Sequence, residues 1–227
     1  MKRLLVLAAV ALTASAAWAQ PYYVRGDFNG WTNNTDAMTD MGGGMYSYTV
    51  TGLTPGQDYE YKATVDDWSF NAPGSNAKTP DDAAGEININ FFPNNTWADG
   101  WMPDAKPRLG WQDPGTFDWE LVGDMNGWAG GAAWYLTDMG NGLHVGEFAL
   151  NAGTYQFKFR QQGDWAHSIG DDTGNAAANN SLTVANNGDV YRFEIDLPNG
   201  RWRTTLVPEP ATFIVLMVGG LLSLRRR

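Results

Sequence analysis

Between residues 20 and 207 the apolar positions alternate with polar ones at a period of two rather than at a helical spacing. In Tyr59–Val65 the residues Tyr59, Tyr61, Ala63 and Val65 share one face, and Glu60, Lys62 and Thr64 the other. Tyr155–Arg160 repeats the pattern with Tyr155, Phe157 and Phe159 against Gln156, Lys158 and Arg160. Short strands are predicted at Tyr22–Val24, Met45–Val50, Ile87–Phe92, Glu120–Val122, Leu143–Leu150, Leu182–Val184 and Val190–Leu197. Pro-Asn turns then lead into further strands at Thr96–Trp97 and Arg201–Val207. Each is bounded by Gly, Pro, Asn or Asp, the residues that tolerate turn geometry.

The strands come in two sets. Gly26–Trp31 reads GDFNGW, and 97 positions later Gly123–Trp128 reads GDMNGW. Met38–Gly42 returns as Leu136–Gly140, Tyr59–Lys62 as Tyr155–Lys158, and Asp67-Trp68 as Asp164-Trp165. Toward the end the offset widens, so the second copy carries extra residues between Trp165 and Tyr191. Such an echo means one folding unit built twice. The predicted fold is all-β: two tandem immunoglobulin-like β-sandwich modules at 20–102 and 118–206. Residues 103–117, with Pro103, Pro107 and Pro114, read as a semi-rigid linker.

The two ends read as processing signals. Met1-Lys2-Arg3, the apolar Leu4–Leu12 and Ala17-Trp18-Ala19 make residues 1–19 a signal peptide. Residues 207–227 carry Val207-Pro208-Glu209-Pro210, an apolar run Ala211–Leu224 and three terminal arginines. That tail resembles the PEP-CTERM sorting signal of Gram-negative bacteria. The resemblance places Pro208, Glu209 and Pro210 in the recognition motif and implies an exosortase-type processing enzyme as partner. It further implies a transient membrane stay through a hydrophobic helix, then release to the cell surface or extracellular matrix.

Composition narrows the function. The chain has no cysteine, which removes disulfides and thiolate metal sites, and a formal net charge of −10 that the basic termini make less negative than the body. An acidic surface repels nucleic acid phosphates, whereas a neutral ligand meets no such barrier. Asp66-Asp67, Asp81-Asp82 and Asp171-Asp172 are carboxylate pairs, but no calcium-loop spacing accompanies them, so no metal or other cofactor is expected. Two histidines, His144 and His167, with neither a nucleophile elbow nor a zinc-helix motif, argue against an enzyme. There are 11 tryptophans, and those that recur at matched places are the candidates for binding.

The repeated G-D-φ-N-G-W, L-x-x-G-x-Y-x-φ-K and G-x-W pattern resembles family 48 carbohydrate-binding modules and the glycogen-binding domain of the AMP-activated kinase β subunit. Related early-set modules stand beside pullulanases. The second copy is the closer match, through Gly123–Trp128, Leu150–Lys158, Gly163–His167 and Asn179–Val184. The resemblance implies sugar platforms at Trp128, Lys158, Trp165 and Asn179, and at Trp31, Lys62 and Trp68 in the first copy. Indole faces suit the apolar face of a pyranose, and Lys and Asn suit its hydroxyl rim. The expectation is a non-catalytic exported protein that binds an α-glucan-like polysaccharide. Its alternative is a structural or adhesive surface protein in which Trp31 and Trp128 cap the core and Lys62 and Lys158 guard strand edges.

Overall fold

The computed structural model describes residues 21–32, 35–79, 85–94, 100–102, 107–115 and 117–208. Residues 1–19, read above as a signal peptide, Glu209, Pro210 and the rest of the tail read as a sorting signal lie outside them, as do Asp81-Asp82 and Thr96–Trp97; Pro208 is exposed. Among the described residues no helix is long and apolar enough to cross a membrane.

The fold is all-β, and every strand pairing among the described residues is antiparallel. The first half contributes β1 (Tyr23–Gly26), β2 (Thr39–Gly42), β3 (Met45–Leu53), β4 (Glu60–Thr64), β5 (Asn71–Lys78), β6 (Gly85–Phe92) and β7 (Arg108–Trp111). The second contributes β8 (Trp119–Gly123), β9 (Thr137–Asp138), β10 (Leu143–Leu150), β11 (Gly153–Gln161), β12 (Asp164–Ile169), β13 (Asn180–Val184), β14 (Asp189–Asp196) and β15 (Arg201–Val207).

Among the described residues the strands form four sheets, two from each half. β1-β4-β5 and β2-β3-β6-β7 are matched by β8 and β12/β13 on either side of β11, and by β9-β10-β14-β15. The correspondence explains the extra residues of the second copy. β5 is one strand whose pairing with β4 breaks between Tyr61 and Ala63. In the second half the same partner is split into β12 and β13, and residues 170–179 fill the gap.

The linker expectation needs correction. Arg108–Trp111 is a buried strand paired with β6, from Ile89 opposite Trp111 to Phe92 opposite Arg108. It closes the first half as β15 closes the second. Its own apolar pair, Leu109 and Trp111, is short and flanked by prolines, so the turn-rich composition conceals it.

Period-two alternation puts Tyr61, Ile89, Phe91, Leu109, Leu121, Phe157, Phe159, Phe193, Ile195 and Leu197 inside, and each is almost wholly buried. A large apolar side chain so placed contributes roughly 1.5–3 kcal/mol. The buried residues of both halves form one contiguous cluster that includes Trp111, Trp119 and Trp202. Trp202 stands between Phe157 and Phe159, with centroids 5.5 and 6.2 Å away.

The halves are hydrogen-bonded as well as packed. Met102 and Trp202 exchange backbone bonds of 2.6 and 3.0 Å, and Asn90 Nδ2 donates to the Pro198 carbonyl at 3.0 Å. His167, buried on β12, donates from Nε2 to the Thr79 carbonyl at 2.7 Å. The turn Leu197–Asn199 seats on β7 at Gly110, where a Cβ would run into the carbonyl oxygens of Pro198 and Leu197. Gly110→Ala should therefore lower stability by about 1–3 kcal/mol through overpacking. Chemical denaturation of the two proteins measures this, and a neutral substitution would deny that β7 carries the junction.

Candidate functional site

The six residues of each repeated motif have separate structural tasks. Gly26 and Gly123 precede the 3₁₀ turns Asp27–Asn29 and Asp124–Asn126. A Cβ on either would collide with the neighbouring strand's backbone, at the carbonyls of Glu60 and Gln156. Asn29 Oδ1 accepts from Gly26 N and its Nδ2 donates to Val24 O, both at 2.9 Å. Asn126 makes the same two bonds, to Gly123 and Leu121, at 2.9 and 2.8 Å. Gly30 and Gly127 end the turns in the left-handed region, at φ 65° and 62°.

The aspartates aim the tryptophans. Asp27 Oδ1 accepts from Trp31 Nε1 at 2.8 Å while Oδ2 accepts from Glu60 N at 2.8 Å. Asp124 does the same for Trp128 at 3.0 Å and Gln156 N at 2.7 Å. Each indole N–H is thus occupied, and what the rings offer is their faces. Trp31, Trp68 and Trp128 stand at φ 60°, 61° and 64°, a region bulky residues seldom enter. Strain of that kind, of order 1–3 kcal/mol per residue, gathers at functional sites.

The indoles pair within each half. Trp31 and Trp68 lie with centroids 6.3 Å apart and planes 27° apart; Trp128 and Trp165 lie 6.1 Å and 41° apart. Trp68 and Trp165 are 39 and 45 % exposed. Trp31 and Trp128 are half-buried, yet neither belongs to the residues packed on the core. The core-capping alternative for these two therefore does not describe them.

Beneath each exposed indole lies a buried guanidinium, which the sequence reading missed. Arg25 Cζ sits 4.7 Å from the Trp68 ring and Arg160 Cζ 4.3 Å from the Trp165 ring, within cation–π range. The two arginines are not equivalent in the repeat. Arg25 comes from β1, directly opposite Lys62, whereas Arg160 comes from β11, two residues past Lys158. Arg25 donates from Nη2 to the Asp66 carbonyl at 2.7 Å. Arg160 donates from Nε and Nη2 to Glu120 Oε1 at 2.8 and 2.6 Å.

Lys62 and Lys158 stand on the outward faces of β4 and β11, between buried neighbours. Both strands are paired on two sides, so an edge-guarding role is excluded. Lys62 Nζ donates to Asn71 Oδ1 at 3.0 Å and to the Gly74 carbonyl at 2.9 Å. Partial burial lowers both ammonium pKa values, opposed for Lys62 by Asp172 and for Lys158 by Asp171 and Asp172. Asn179 is exposed just before β13, while Asn180 is buried opposite Phe157. Asn71 gives the first half an amide beside its lysine, which the repeat alignment did not identify. Lysine and amide donors beside stacked apolar faces can hold a hydroxylated ring from its edge and its face together.

Among the described carboxylate pairs, Asp67, Asp171 and Asp172 cap loops. Asp67 accepts from Ser69 N at 3.0 Å, Asp171 from Ala178 N at 2.9 Å, and Asp172 from Gly174 N at 2.7 Å. Among the described residues no group of three or more acidic or histidine side chains is placed to hold a metal ion.

No family model and no curated protein matches the chain. A pullulanase from Bacillus acidopullulyticus is a structural neighbour at 18% identity and a TM-score of 0.31. The match covers 55% of this chain and 20% of that enzyme, a likeness too slight to carry either fold or activity.

The Arg160 bed depends on Glu120, itself almost wholly buried. Burial raises the Glu120 pKa, but the amides of Gly131 and Gly163 and the Arg160 charge outweigh it and hold the carboxyl below 4.5. Its stabilising effect is thus present above that value and disappears as pH falls through the lowered folded pKa. Glu120→Gln should cost about 3–5 kcal/mol at neutral pH by leaving Arg160 without its counter-charge. The gap to the parent protein should close progressively in acid, below pH 4.5. Denaturation midpoints across that range check both, and a constant gap would refute the assignment.

Proposed function

We propose that this is a non-catalytic polysaccharide-binding protein whose ligand is a neutral, α-glucan-like chain. The observation that carries the reading is the double construction of the indole pair. In each half an aspartate engages the N–H of one tryptophan while a buried arginine supports the other from below. Three of these four rings also sit at positive φ. A purely structural indole has no need of a strained backbone that brings it toward water.

On this reading each half is a β-sandwich module of the immunoglobulin-like, early-set kind. Trp31, Trp68, Lys62 and Asn71 form one platform, and Trp128, Trp165, Lys158 and Asn179 the other. Export and delivery to the cell surface through the sorting tail, with an exosortase-type enzyme as transient partner, belong to the same proposal. The ring faces stack on pyranose C–H surfaces, and the ammonium and amide groups meet the hydroxyls.

Soluble glycogen and maltoheptaose should each quench the intrinsic tryptophan fluorescence of the protein to saturation. Trp165→Ala should weaken maltoheptaose binding at the second platform about tenfold, the ~1.4 kcal/mol scale of an aromatic contact residue. Trp165→Phe should retain more of the affinity because a stacking face remains. An unchanged spectrum with every glucan tested would leave the structural, adhesive role in its place.

A further inference from the structure

We infer that the two platforms are one composite site, a single strip across the junction of the halves that takes one long glucan chain. The inference rests on the polysaccharide reading above and concerns how that ligand is held.

The physical basis is the loop at residues 170–179, which only the second half possesses. It lands on β5 at the bulge where that strand parts from β4. Asn175 N donates to Asn76 O at 2.8 Å, Ala176 N to Ser75 Oγ at 2.9 Å, and Asn175 Nδ2 to Glu60 Oε1 at 3.1 Å. Gly74 N donates to Asp172 Oδ2 at 3.4 Å, and the Gly74 carbonyl is the group that accepts from Lys62 Nζ. One glycine of the first half is therefore held by its own platform lysine on one side and by the second half's loop on the other.

The same carboxylates face the second platform. Asp172 raises the ammonium pKa of Lys62 and of Lys158, and Asp171 that of Lys158, so both lysines feel the carboxylates of one loop. From there the contacts run outward in both directions. Lys62 is opposite Arg25, Arg25 lies under Trp68, and Trp68 pairs with Trp31. Lys158 is followed by Arg160, which lies under Trp165, and Trp165 pairs with Trp128. Asn71 and Asn179 stand at the start of β5 and at the end of the loop. The composite site so inferred has an indole pair at each end and ammonium and amide donors between them.

Two further features favour one long chain over two short ones. The loop hydrogen bonds and the shared core fix the platforms relative to each other, so no linker has to be ordered when the second is engaged. The centre sets two lysines against Asp171, Asp172 and Glu60, so it carries no excess of positive charge and offers no net attraction to an anionic polymer.

Calorimetry on the whole protein with maltotriose, maltoheptaose and a size-fractionated long amylose tests this. One long amylose chain should bind per protein, at least about a hundredfold more tightly than maltotriose. Trp68→Ala and Trp165→Ala should each remove that gain with length while maltotriose still binds at the untouched platform. Two amylose chains per protein, with each variant losing one and the other keeping its affinity, would overturn the composite site and leave polysaccharide binding intact. Failure of every maltooligosaccharide to bind would overturn the polysaccharide reading and the composite site with it. The stoichiometry of the unaltered protein decides between these outcomes even if a variant folds poorly.

Discussion

The carboxylates of Asp27 and Asp124 are the constraint on which the recognition surface depends. Each divides its two oxygens between an indole N–H and one backbone amide of the adjoining strand, 2.7–3.0 Å away in all four cases. A turn is thereby tied to a sheet and a ring is aimed in one stroke. The flanking glycines follow from this closeness, since the turn approaches the next strand so tightly that no Cβ fits at Gly26 or Gly123. The asparagine closes the turn from inside, and the tryptophan takes up its unusual backbone angle as the chain leaves.

The two halves reach one outcome by different means. In the first, the cation beneath the exposed indole comes from β1 and is anchored to the Asp66 carbonyl. In the second it comes from β11 and is anchored to a buried glutamate that also binds the Gly131 and Gly163 amides. The position of Arg160 is occupied by Thr64 in the first half, and that of Arg25 by Val122 in the second. A positive charge under an indole is therefore the retained quantity, while the strand that supplies it has changed.

Strand periodicity and the repeated motif made much of this legible from residue order. Tyr61 and Ala63, like Phe157 and Phe159, fall inward, and Lys62 and Lys158 fall outward, as period-two alternation requires. The matched Asp-Trp pairs located Trp68 and Trp165 at exposed positions. What was not legible depended on partners distant along the chain. Arg108–Trp111 has too few residues and too many nearby prolines to announce a strand, and only β6 makes it one. Arg25 and Arg160 escaped notice because aligned copies do not align them. The extra residues near 170–179 were visible as a length difference, but where they would land could not be read from either copy alone.

That landing has a consequence for how the duplication became one molecule. The outer edge of β5 meets the later copy's loop at Asn76 O and Ser75 Oγ, so the loop lies over part of an edge that would otherwise invite pairing with another chain. The first copy has in this sense delegated the protection of its own border to its neighbour. Severed from it, residues 20–115 would present a bare ladder to any passing strand, and self-association rather than an independent small domain is the natural fate of such a fragment.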